Sequence, residues 1–98
     1  MYPPKKILML DDIRIRADAT AIVRNVETCL KLLRYDGPWD LLLLDNDLGE
    51  FDPRAGRNVL DWLEWPENAK YRPKEVEILS QNPVERERME VILRKIYP

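Results

Sequence analysis

Residues 41–50 read Leu-Leu-Leu-Leu-Asp-Asn-Asp-Leu-Gly-Glu: the most apolar run in the chain leads straight into two carboxylates and an amide. The run is too short for a helix. Bounded by Gly37-Pro38-Trp39 on one side and Asp45-Asn46-Asp47 on the other, it predicts a strand buried on both faces. Two further stretches end the same way. Lys6–Leu10 is apolar and stops at Asp11-Asp12, and Glu75–Leu79 alternates and ends at Ser80-Gln81-Asn82.

Helical signals separate these strands. Residues 17–36 admit two readings. One is a single helix carrying Ile22, Val23, Val26, Leu30 and Leu33. The other is a short strand around residues 20–25 followed by a helix over residues 26–35, and the β-branched Thr20, Ile22 and Val23 favour it. Asn25 then serves as N-cap with Glu27 in the first turn, and Gly37-Pro38 ends the helix. Residues 53–65 form a second helix between Pro53 and Pro66, with Val59, Leu60 and Leu63 on one face. A third opens at Asn82-Pro83, with Glu85 in a capping-box-like position, and buries Met89, Ile92, Leu93 and Ile96. Residues 65–75 read as a proline-punctuated surface loop.

Strands alternating with helices predict one α/β domain over residues 1–98, with about four parallel strands and helices on both faces. The first crossover, residues 11–20, has no helical pattern and is close to the shortest connection parallel strands allow.

Composition narrows the function. The chain is 45% hydrophobic and 35% charged, with 16 basic and 18 acidic residues, which suits a packed domain and argues against a broadly basic nucleic-acid surface. Cys29 is the only cysteine, so an intrachain disulfide and a cysteine-based zinc site are excluded. It reads as a small core residue. With no leader pattern and no apolar run of membrane-spanning length, a cytoplasmic protein without membrane partners is expected. The sequence contains no histidine, which removes the commonest general base and the commonest neutral metal ligand. Any chemistry rests on carboxylates, amides, hydroxyls, Arg and Lys.

In a parallel sheet all carboxyl ends lie at one edge, where open α/β folds bind ligands. Asp11-Asp12, Asp45-Asn46-Asp47 and Ser80-Gln81-Asn82 would converge there. Clustered carboxylates repel unless a cation joins them, and Mg²⁺ or Mn²⁺ suits an all-oxygen donor set. Asp11, Asp12 and Asp45 are the candidate ligands. Arg14, Arg16, Ser80 and Asn82 are candidates for holding a phosphate, and Asp45 and Asp47 for catalysis. Each motif also has a plainer reading as a turn, cap or charge balance, with Ser80 and Asn82 as capping residues and Gly56 relieving crowding at a helix start. The three tryptophans read as packing residues.

The blocks Ile7-Leu8-Met9-Leu10-Asp11-Asp12, residues 41–49 and Ile78-Leu79-Ser80 resemble response-regulator receiver domains. That likeness implies Mg²⁺ at Asp11 and Asp12, a phosphorylatable Asp45 and a phosphoryl contact from Ser80. A receiver also has a further strand bearing a Lys, which these residues lack; Lys95 falls inside the last helix. Residues 10–14, 45–49 and 80–83 (LDDIR, DNDLG and SQNP) are more similar to the cyclic-phosphate-processing receiver domains. This resemblance implies a flavodoxin-like, three-layer fold and an activity on cyclic phosphates, including RNA ends, with the site on Asp11, Asp12, Arg14, Asp45, Asp47, Ser80 and Asn82. Members often carry His within the block that is Asp45–Gly49 here and before the Ser; this chain has Asn46 and Leu79. Three functions follow as expectations: a metal-dependent cyclic phosphodiesterase, a signalling module phosphorylated on Asp45, or an inactive domain that binds a protein partner.

Overall fold

The computed structural model describes residues 5–46, 48 and 54–98. Strands β1 (Ile7–Leu10), β2 (Ala21–Val23), β3 (Leu41–Leu44) and β4 (Glu75–Ile78) form one sheet in the order β2-β1-β3-β4, every pairing parallel. Helices α1 (Val26–Tyr35), α2 (Ala55–Glu64) and α3 (Pro83–Ile96) complete the α/β fold. The split reading of residues 17–36 is the one adopted, and the Asn25 side chain caps α1 by accepting from the Thr28 N–H at 2.8 Å.

Leu10 pairs with Val23 on one side and Leu44 on the other, and Leu44 pairs with Ile78. The four strands therefore finish level. Backbone bonds carry that register one residue further: the Asp11 N–H donates to Val23 O, the Asp45 N–H to Leu10 O and the Leu79 N–H to Leu44 O.

Strand alternation splits the core in two. Leu8, Leu10, Leu42, Leu44 and Ile78 meet Cys29 and Leu33 of α1, Val59, Leu60 and Leu63 of α2, and Met89 and Ile92 of α3. Ile7, Met9, Leu41 and Leu43 form a second cluster with Ala19, Ile22 and Leu79, to which, among the described residues, no helix contributes. The expectation of helices on both faces thus holds for one face. The handedness of parallel crossovers explains why. The steps from β2 to β3 and from β3 to β4 run the same way along the sheet, so right-handed connections place α1 and α2 on the same side. Only the step from β1 to β2 runs the other way, and its connection is the helix-free segment 11–20. That segment forms a thin third layer: the Thr20 hydroxyl accepts from the Ile7 N–H at 2.9 Å, and Arg14 reaches across to Leu79 O at 3.2 Å.

Residues 65–75, expected as a plain loop, contain a 3₁₀-helix over Pro66–Tyr71. Its surroundings close the end of α2. Asn68 Nδ2 donates to Trp62 O at 2.9 Å, and the Arg72 guanidinium to Leu63 O and Glu64 O. Trp39 is buried, with its indole N–H on Leu32 O at 2.9 Å. Trp62 stacks on Tyr71, while Trp65 is exposed. Among the described residues no helix is long and apolar enough to cross a membrane.

Gly56 sits where α2 passes the end of β3. A Cβ there would lie 2.6 Å from Met89 Cε and 2.8 Å from Asp45 O. The methionine can swing away, but the carbonyl belongs to the strand end. Gly56→Ala is expected to cost about 1 kcal/mol net in urea unfolding, because overpacking of about 1–3 kcal/mol outweighs a helix-propensity gain of about 1 kcal/mol.

Burial also sets an alkaline limit. It pushes the Cys29 thiol from 9.0 up to about 12, and the Tyr97 hydroxyl, which donates to Pro73 O, from 10.0 up to about 12. Both groups ionise more readily in the unfolded chain, so the stability they contribute is complete below their unfolded values and is lost as pH rises from about 9 towards 12. Denaturant midpoints should fall across that window, and the fall should be shallower in Cys29→Ala and in Tyr97→Phe.

Candidate metal and phosphate site at the carboxyl edge of the sheet

The level strand ends bring three carboxylates together. Asp11, Asp12 and Asp45 each offer an oxygen, and these atoms lie within 4.8 Å of one another. Their exposure is graded: Asp11 is 1% exposed, Asp45 half-buried and Asp12 exposed. Asp11 Oδ1 accepts from the N–H groups of Ile13 and Arg14, both at 2.9 Å, so one oxygen holds the turn that follows β1. Asp11 Oδ2 is buried without a hydrogen-bond partner, and Arg14 Nη1 lies 3.7 Å from it. A buried carboxylate oxygen in that state is costly, and two more carboxylates beside it raise the cost. A hard divalent cation fits this all-oxygen donor set and would satisfy Asp11 Oδ2 directly.

Arg14 bridges the edge, with Nη1 on Leu79 O at 3.2 Å as well as near Asp11. Among the described residues Arg16 pairs with Asp18, not with the acidic edge. Its Nε and Nη2 form a two-pronged pair with Asp18 at 2.6 and 3.1 Å. That pairing raises the guanidinium pKa and holds the Asp18 carboxyl below its ordinary value, with both groups in solvent. Ser80 is buried and its Oγ accepts from the Asn82 N–H at 3.3 Å. Asn82 Oδ1 accepts from Val84 N and Glu85 N, capping α3 as expected. Asp47 lies outside the described residues. Lys95, within α3, is 3.8 Å from the Glu64 carboxylate, on the helical side of the molecule.

Glu85 departs from the capping-box expectation. The Asn82 N–H that a capping box would occupy is taken by Ser80, and Glu85 instead accepts from Asn46 Nδ2 at 3.3 Å and Arg88 Nη1 at 3.3 Å. Asn46 is the missing partner. It is 2% exposed, its Oδ1 accepts from the Arg57 N–H at 3.0 Å, and its backbone carbonyl accepts from the Ala55 N–H at 2.8 Å. Arg54 offers α2 no side-chain cap, so Asn46 supplies one from across the loop. Its side-chain carbonyl thereby serves α2.

Arg24 also escaped the sequence reading. Its Nη1 donates to Asp11 O at 2.7 Å and to Arg14 O at 3.4 Å, pinning the turn that presents Asp11 and Asp12. The available signal was positional: Arg24 follows β2, so topology puts it on the same edge.

A family model for the cyclic-phosphate processing Receiver domain matches residues 6–95. The chain belongs to this family. No curated protein and no solved structure matches it. The family's receiver architecture agrees with the parallel sheet order and with the acidic residues after β1 and β3. In this cyclic-phosphate processing receiver domain, Asn46 ties three elements together: β3, α2 and α3.

Asn46→Ala should therefore act on stability before it acts on the site. Removing the amide leaves the Arg57 N–H and the Glu85 carboxylate without that partner, at an expected cost of about 1–3 kcal/mol in chemical denaturation. Amide exchange should quicken at the start of α2, around residues 55–58.

Proposed function

We propose that the carboxyl edge binds a divalent cation, Mg²⁺ or Mn²⁺, and that the protein uses it to hydrolyse a cyclic phosphate ester on a nucleotide or RNA end. The observation that carries this reading is the Asp11–Asp12–Asp45 group, in which Asp11 Oδ2 is buried and lacks a hydrogen-bond partner. Membership of the cyclic-phosphate processing family supports the choice of substrate group.

Asp11, Asp12 and Asp45 would hold the cation, which when bound supplies Lewis-acid polarisation of a phosphoryl oxygen. Arg14 is the residue suited to the phosphate. Its guanidinium is already beside Asp11, 41% of its side chain is exposed, and it can donate two parallel hydrogen bonds to phosphoryl oxygens. Ser80 Oγ accepts from Asn82 and keeps its own proton to donate. The N–H groups that open α3 are taken by Ser80 Oγ and Asn82 Oδ1, so this helix start would favour an anion through its dipole. Asn82 would reach a phosphate through its side-chain NH₂. Arg16 would serve only after leaving Asp18, an exposed pair of the kind that is weakly held.

Without histidine the base is a carboxylate, Asp45 or Asp47, the latter entering from its place in the sequence. The base takes a proton from water as the water oxygen bonds to phosphorus. The bond to one ring oxygen breaks, and that oxygen takes up the proton the carboxylate removed from water, leaving as a hydroxyl and giving a phosphomonoester with the base restored.

Calorimetry with Mg²⁺ and Mn²⁺ tests the first half of the reading. Saturable binding is expected in the wild type and its loss in Asp45→Ala and Asp11→Asn; the Asn variant keeps an oxygen for the turn. Turnover of nucleoside 2′,3′-cyclic phosphates should then require the metal and fall by about 100-fold or more in Asp45→Ala. An absence of metal binding overturns the proposal. A phosphoryl adduct on Asp45 with a small phosphodonor, without turnover, would replace hydrolysis by signalling.

A further inference from the structure

The sheet face without a helix carries an open groove of ≈ 440 Å³, lined by Met9, Leu43 and Leu79 below and by Arg14, Ile15 and Arg16 above. Met9 and Leu43 are its buried floor, Leu79 is half-buried, and Ile15 is 78% exposed. The groove adjoins the acidic edge through one residue. Arg14 lines it, and the same guanidinium nitrogen lies 3.2 Å from Leu79 O and 3.7 Å from Asp11 Oδ2. A phosphate gripped by Arg14 beside Asp11 therefore has this groove as its neighbouring surface.

We propose that the groove is the subsite for the organic group on the phosphate, and that this group is a planar aromatic heterocycle. The inference rests on the reading of the acidic edge as a phosphate site and adds the substituent to it. Three properties select the occupant. The volume lies within the range of small-molecule sites. The walls of Ile15 and Leu79 offer apolar contact, so the hydroxyls of a polyol would lose water there without gaining partners. Arg14 and Arg16 line the groove with their guanidinium edges engaged by Leu79 O and by Asp18. A guanidinium held by its edge still offers its flat face to an aromatic ring, which an alkyl chain cannot use. A ligand seated there would also cover Ile15, a large aliphatic side chain otherwise left in water.

Methyl NMR on ¹³C-labelled Ile, Leu and Met in the presence of Mg²⁺ tests this, with adenosine 2′-monophosphate and glycerol 2-phosphate as probes. The nucleotide should shift the Ile15 and Leu79 methyls and bind about tenfold or more tightly than the glycerol ester, the scale of one stacked base. Ile15→Ser, at an exposed position, and Leu79→Asn should shrink that preference while leaving Mg²⁺ titration unchanged. Equal affinity for the two probes, nucleotide binding that leaves both methyls unmoved, or an unchanged preference in the variants overturns the groove assignment. So does Mg²⁺ binding without binding of either probe. Nucleotide-induced shifts at Ile15 and Leu79 without any Mg²⁺ binding would sustain the groove and defeat the metal reading instead.

Discussion

The structure depends on one alignment, the register that ends four parallel strands at the same height. Leu10, Val23, Leu44 and Ile78 lie side by side, and whatever follows them in the chain is delivered to a common edge. The leucines of β3 enforce it. Leu42, Leu43 and Leu44 are fully buried and Leu41 nearly so, so slipping β3 by one residue would exchange its two faces and bring Asp45 towards the core. Apolar burial thus fixes where the carboxylates stand. Their mutual repulsion is a secondary cost that the register imposes and a bound cation would relieve.

A second dependency runs through Asn46. α2 begins without a cap of its own, and α3 begins with a glutamate whose carboxylate is drawn inward. Both are met by the amide between the two aspartates. The residue at the centre of the acidic block is therefore the one that serves the scaffold. Here position 46 faces the Arg57 N–H and the Glu85 carboxylate, so its amide joins helix starts.

Much of this was legible in the sequence, because it rests on local signals. Apolar runs stopped by Asp, an Asn-Pro start and a Gly-Pro stop gave the strands, α1 and α3, and parallel topology then gathered Asp11, Asp12 and Asp45. Non-local partners were not legible. No spacing rule links Asn46 to Arg57 or Glu85, or Arg24 to the carbonyl of Asp11, because these pairs exist only once the chain is folded. The same limit explains Glu85. Its sequence position fits a capping box, but a serine two residues before Asn82 took the N–H first. Helices on both faces were expected because near-continuous apolar strands alternate with helices; handedness with this strand order permits α1 and α2 only one face.

The thin third layer has a consequence for how the edge behaves. Residues 11–20 carry two of the three carboxylates and belong to no helix or strand; the segment is tied down by Arg24, by the Arg14 contact to Leu79 and by Thr20. Such a segment opens at a lower free energy than the sheet beneath it. Two of the three candidate ligands ride on this segment, while Asp45 follows a strand buried along its whole length. Occupancy of the edge would stitch the one to the other, so some of the binding energy would be spent on ordering the segment, and apparent affinity would report the strap's flexibility as well as the chemistry of the carboxylates.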